Sequence, residues 1–221
     1  IDRLRAEFEA WKERRDRNDV RKRFVTQLQA LHDVVVRALV DVRNDTLALG
    51  HEADVGAVYQ RGSVQDKRVL WIRRVLWGFY REKFDQRDGS GDLQTLLNAA
   101  DDTVWSCYQQ PFLHPAAGQP PGPIPLAYVE PFYSPQALPR NEVPGALKDK
   151  RLGEHFLSEF FTRLPIPLVS LPPACVAAPW WLVFLSHEVG HHVQHDLKLV
   201  DAFAELLIKV ASTHADPAAA K

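Results

Sequence analysis

Apolar residues recur at three- and four-residue intervals through most of the first 110 positions. Phe24, Leu28, Leu31, Val35, Ala38, Leu39 and Val42 form one such series, which predicts an amphipathic helix from about Asp19 to Asn44. Gly50 and Gly56 fall in the next break. A second helix is expected from about Val64 to Phe84, carrying Leu70, Val75, Leu76, Phe79, Tyr80 and Phe84, and Asp88-Gly89-Ser90-Gly91 supplies the turn chemistry that ends it. A third is expected from Asp92 to about Gln110, and a charged opening helix gathers Leu4, Phe8 and Trp11 on one side. All 16 prolines lie at or after Pro111, so the strongest helix breaker is absent from this whole stretch. Residues 1–110 therefore read as an antiparallel helical bundle.

From Pro111 the pattern changes. Ten prolines fall between Pro111 and Gly145, a density that favours extended backbone and marks 111–145 as a Pro-rich connection. Two pieces echo one another: Pro123-Ile124-Pro125-Leu126 and Pro165-Ile166-Pro167-Leu168, each followed by a short β-prone stretch that Pro131 or Pro172 closes. Alternate prolines cannot donate to a ladder, so both are expected as short edge strands or extended segments. Between them, Ala146 to Arg163 reads as a helix with Leu147, Phe156, Phe160 and Phe161 on its buried side. Pro179 suits a helix first turn, and the run Trp180 to Leu185 leads into Ser186 and His187. No proline interrupts a helix continuing to about Leu197. A final helix, about Lys198 to Ser212, is expected to bury Leu199, Phe203, Leu206, Leu207 and Val210. The expected fold is mainly α, with the bundle over 1–110 and a small α+β region over 146–221 holding short edge strands.

Composition narrows the function without choosing it. At 221 residues and 46% hydrophobic the chain can bury a substantial core. Its 27 Lys and Arg against 28 Asp and Glu give a net charge of -1, which offers no global argument for nucleic acid or an anionic membrane. Residues 1–23 hold nine basic against six acidic groups, but signs interleaved in this way mark a solvated helix face, so nucleic-acid binding is not expected. Cys107 and Cys175 stand far apart and outside any CxxC spacing, which argues against a disulfide scaffold or a thiolate zinc site and fits a reducing cytoplasm. The longest apolar run, Ala174 to Leu185, is well short of the ~20 residues of a membrane span, and the opening residues do not resemble a signal peptide.

The chemistry concentrates at His187-Glu188-Val189-Gly190-His191, an HExxH pattern. Residues four apart on an α-helix rise about 6 Å and share a face, so both imidazoles can reach one ion while Glu188 flanks its open side. A catalytic zinc takes three protein ligands and keeps one open position, so a third ligand is needed. His195 lies on the same stripe but about 12 Å further along the axis from His187, and His192 points off the metal face. Glu205, fourteen positions after His191 on the next helix, is the candidate third ligand, with Asp201 and His214 weaker alternatives. Cys107 with His114, His51-Glu52 and Glu154-His155 carry no spacing that supports a nucleophile or a second metal site.

With its flanks Phe184-Leu185-Ser186 and His192-Val193-Gln194, this stretch resembles the active-site helix of the zincin metallopeptidases, particularly the bacterial neutral zinc metallopeptidase type. The resemblance spans only the motif helix. It implies that His187 and His191 bind Zn2+, that Glu188 is the catalytic base, and that an edge strand pairs with an extended peptide substrate, for which Ile166 to Leu171 is the candidate. The longer metzincin pattern is excluded by Gln194 and Leu197, which stand where it has Gly and His. In the gluzincin type the third ligand is a Glu on a later helix. Tyr128, Tyr133 and His155 are candidates for an oxyanion donor. The expected function is a cytoplasmic zinc metallopeptidase acting on a peptide or protein, with the N-terminal helices docking substrate or a protein partner. The alternative is a helical interaction or scaffold protein whose metal site is structural or inactive.

Overall fold

The computed structural model describes residues 1–18, 22–51, 54–152 and 154–214. Helix α1 (Asp2–Asn18) buries Leu4, Phe8 and Trp11, as its spacing predicts. Helix α2 (Val25–Ala48) buries Leu28, Leu31, Val35, Leu39 and Val42, the stripe read from the sequence, and runs four residues further than expected. Its expected start at Asp19 lies outside the described residues. Helix α3 (Val55–Val75) starts nine residues before the expected Val64, because the Asp54 carboxylate caps it by accepting from Gly56 N at 2.8 Å. It continues through a π-helical turn (Leu76–Tyr80) into α4 (Arg81–Asp85). The wider turn keeps Leu76, Phe79, Tyr80 and Phe84 all facing the core.

The sheet reorganises the rest of the chain. Strands β1 (Leu126–Val129), β2 (Gln136–Leu138) and β3 (Leu168–Leu171) are ordered β1-β3-β2, with β3 parallel to β1 and antiparallel to β2. Leu126 pairs with Leu168 and Val129 with Leu171. That offset of 42 residues is also the offset between the two Pro-Ile-Pro-Leu segments, so the sequence echo is a pair of neighbouring parallel strands. The expectation that Ile166 to Leu171 forms an edge strand is corrected: β3 is the buried central strand. Its prolines, Pro165 and Pro167, precede the ladder and remove no donor from it.

Pleating sends Leu126, Tyr128 and Leu168 to one face and Ala127, Val169 and Leu171 to the other. On the first face pack α1 to α4 together with α6 (Glu154–Arg163); on the second, α5 (Asp92–Gln109) and α7 (Leu182–Asp196). The two cores thus cut across the divisions expected at 110 and 146. Helix α5 leaves the N-terminal bundle to pack on α7, while α6 joins the bundle against α2. Helix α6 also starts at Glu154, not Ala146, since 145–152 forms two 3-10 turns, the first tied down where Trp71 Nε1 donates to Leu147 O at 2.9 Å.

The last helix, α8 (Leu199–His214), departs most from expectation. Phe203, Leu206, Leu207 and Val210, expected in the core, are 47, 55, 68 and 45% exposed, and Leu199 is half-buried. Among the described residues no helix is long and apolar enough to cross a membrane.

Candidate metal centre

Helix α7 is oriented by its inner stripe. Leu185, Val189, His192 and Val193 are buried, at spacings of four, three and one, and lock one face of the helix onto α5 and the sheet. That rotation turns Val183, Phe184, His187 and His191 outward and leaves Glu188 half-buried. Gly190 sits on the open side, with nothing within 4 Å of where a Cβ would stand.

The two motif imidazoles converge. His187 Nε2 and His191 Nε2 are 3.2 Å apart, with ring centroids at 4.7 Å and planes at 83°. Zinc–imidazole bonds of about 2.0–2.1 Å drawn from both nitrogens meet at an angle of about 100°, close to the tetrahedral value. The separation is thus one that two zinc–nitrogen bonds can span. The same separation also suits a hydrogen bond between one protonated and one unprotonated nitrogen. Glu188, one residue after His187, makes no hydrogen bond or ion pair among the described residues, so its carboxylate is not engaged elsewhere.

Behind this face the helix is anchored by two groups that sequence reasoning did not assign. His192 is 1% exposed, and its Nε2 lies 3.1 Å from Leu168 O, so it donates to the first residue of β3. Burial pushes its pKa down to about 4, outweighing the bond to Leu168 O that favours the charged form, and the ring is neutral at pH 7. At the end of α7, Asp196 accepts from Arg140 Nε and Nη2, both at 2.7 Å, and from Tyr108 OH at 2.6 Å. Burial opposes the charge on Asp196, but the bonds from Arg140 and Tyr108 prevail and hold its carboxyl below the usual range. The Arg140 guanidinium also donates to Pro165 O at 2.8 Å and Pro123 O at 3.0 Å, the first carbonyl of each Pro-Ile-Pro-Leu segment. One side chain thus holds both parallel strands at their starts and fastens them to α7. Gly122 makes room for it, since a Cβ there would meet Arg140 Nη1 at 2.7 Å. The only signal in the sequence is the repeated segment itself, which sets two equivalent carbonyls at the same level.

The expected third ligand is not brought to the pair. Glu205 and Asp201 lie exposed on α8, and no group of three His, Cys, Asp or Glu side chains able to hold a metal exists among the described residues. His214 lies outside the described side chains. His195 is exposed, with Nδ1 3.3 Å from Asp196 Oδ1, and belongs to the anchor. The oxyanion candidates are also elsewhere. Tyr128 is buried on the opposite face of the sheet with Lys83 Nζ 3.9 Å from its ring centre, Tyr133 is fully exposed, and His155 pairs weakly with Glu159 on α6. Cys107 does not approach His114 as a catalytic pair; its Sγ lies 3.5 Å from Ser186 Oγ, just before the motif. Compared with known proteins, the chain matches no family model, no curated protein and no solved structure.

Proposed function

We propose that the chain is a zinc-dependent metallopeptidase in which His187 and His191 hold the ion and Glu188 is the general base. The observation that supports this reading is the 3.2 Å separation of the two Nε2 atoms, a distance that two zinc–nitrogen bonds can span, on a helix whose other side is fixed to the core. When bound, zinc lowers the pKa of water and polarises a carbonyl. Glu188 then accepts the proton of the attacking water and returns it to the leaving amine. The substrate backbone pairs, in this proposal, with β2. Helix α7 packs beside that edge strand, whereas on the other edge Gln86 bonds both Val129 N and Val129 O, at 2.8 Å each, and Arg87 bonds Ala127 O. The helices on the far face of the sheet dock substrate or a protein partner, and the free thiols of Cys107 and Cys175 suit a reducing cytoplasm.

The test begins with metal. Wild-type protein dialysed against zinc and analysed by mass spectrometry retains about one equivalent, and it cleaves a fluorogenic peptide library. Glu188→Gln keeps the metal and loses cleavage, while His187→Ala loses both. Unchanged cleavage by Glu188→Gln removes Glu188 from its role, and wild-type protein that binds no zinc overturns the proposal. A second reading is favoured by the exposure of both imidazoles: a helical interaction protein that takes a metal on its surface without chemistry. Its signature is zinc bound by wild type and no cleavage of any library member.

A further inference from the structure

Helices α1 and α3 both pack on α2 and leave a groove between them. Its two hollows, about 370 and 470 Å3, share Glu7 and Arg73 and so run on as one channel. One wall is the face of α1 that carries Arg3, Glu7, Ala10 and Arg14, at spacings of four, three and four. The other is Leu70, Arg73 and Trp77, continued by Arg81 on α4. The Trp77 ring meets Trp11 of α1 edge-on, with centroids 6.5 Å apart, and closes the bottom. The charge of the groove is one-sided: four arginines and one glutamate line it, in a chain whose net charge is -1. Arg3 pairs with Glu7 and Arg81 with Asp85, each at 2.8 Å, while Arg14 and Arg73, both exposed, make no hydrogen bond or ion pair among the described residues.

We propose that this groove receives an acidic amphipathic helix of a partner protein. The proposal rests on the docking role proposed for these helices, and it names the surface and the chemistry. Shape selects a helix. Two helical walls are the seat of a third, and the stretch from Arg3 to Arg14 spans about 16 Å, three turns of a partner laid along it. Ala10, Val69, Leu70 and Trp77 offer its apolar side a matching strip, of which Leu70 is 64% exposed. Charge selects the acid. Asp or Glu on the two flanks of the partner's stripe come level with Arg14 on one wall and Arg73 on the other, both without a carboxylate of their own. A nucleic acid fits less well, because its bases stack on open aromatic faces. The one aromatic ring lining the groove among the described residues, Trp77, already carries the Arg81 guanidinium, 4.5 Å from its ring centre.

The test is selection on the full chain from a displayed library of amphipathic helices of about 20 residues, with the apolar stripe fixed and the flanking positions free. Clones enriched in Asp and Glu at the flanks are expected. The selected peptide, fluorescently labelled, binds about tenfold or more weakly to the double variant Arg14→Glu/Arg73→Glu and to Leu70→Ser, and its affinity falls as salt rises from about 50 to 300 mM. All three positions are exposed, so both variants keep the circular dichroism of wild type. Enrichment of neutral or basic flanks overturns the proposal, as does no enrichment or equal binding to the variants. A single-stranded oligonucleotide of about 20 nucleotides, or phosphatidylserine vesicles, held more tightly than the peptide and released by the double variant, overturns it as well. Binding is read with a chelator present and needs neither zinc nor hydrolysis, so the metallopeptidase reading stands or falls separately.

Discussion

Removing the Asp196 carboxylate is the most informative stability experiment, because that group closes the anchor joining α5, α7 and both parallel strands. Asp196 and Arg140 side chains are 9 and 11% exposed, and the pair is bidentate at 2.7 Å with Tyr108 OH as a third donor. Losing one partner of such a pair strands a buried charge, at a cost of about 3–5 kcal/mol. Arg140 keeps the Pro123 and Pro165 carbonyls, which places Asp196→Ala at the low end, about 3 kcal/mol. For a chain of this size that is a fall in melting temperature of roughly 6–12 °C. Urea unfolding at pH 7 should show a lower midpoint with an unchanged slope. The acid limb adds a signed check. A carboxyl held below its unfolded value contributes stability that is present above about pH 4 and is lost as pH falls through the folded pKa, so Asp196→Ala should flatten the acid side of the stability profile. Pairing Asp196→Leu with Arg140→Met should cost less than the sum of the two single losses, since each single change strands one charge and the pair strands none, while the Pro123 and Pro165 carbonyls lose their donor. A loss below about 0.5 kcal/mol, or strictly additive behaviour in the pair, would refute the argument.

Two further substitutions test the surroundings of the motif. Gly122→Ala puts a methyl 2.7 Å from Arg140 Nη1 and should cost about 1–2 kcal/mol in urea unfolding, a cost that vanishes in an Arg140→Met background. Gly190→Ala, at an α7 position with open space around the new Cβ, should raise stability by about 0.5–1 kcal/mol and leave zinc retention unchanged; a loss of stability would show that the open face is occupied.

Helix positions are legible wherever an apolar stripe coincides with a boundary signal. Helix α5 starts at Asp92, directly after Gly91 at φ 115, and ends just before Pro111, as its flanking residues predict. The start of α3 is not legible, because its buried residues, Trp71, Ile72 and Val75, all sit in its last turns, and only the Asp54 cap marks the first. Residues 145–152 carry the apolar content of a helix, but Asp149 bonds Arg151 N at 3.0 Å and its guanidinium at 2.9 Å, a local alternative that competes with helical pairing. The stripe on α8 is apolar as its spacing predicts, yet exposed among the described residues: periodicity reports an apolar face and does not say what packs on it.

The candidate site divides along the same line. His187 and His191 converge because both belong to one helical face, and a spacing of four is local information. The third ligand is a relation between helices, and Glu205 is one arrangement among several that the sequence permits. What holds the motif helix in place is more distant still: Arg140 reaches Asp196 across 56 residues, Tyr108 reaches it across 88, and His192 reaches Leu168 on β3. Yet the echo of Pro-Ile-Pro-Leu carries part of that information. Two segments that expose a carbonyl at the same level can be joined by a single donor fork, and Arg140, with five N–H groups in one plane, is the side chain suited to hold both while still gripping a carboxylate. The sheet register sets the two copies of the repeat side by side. The anchor depends in turn on the register, and the outward rotation of the two imidazoles on the anchor together with Leu185, Val189 and Val193.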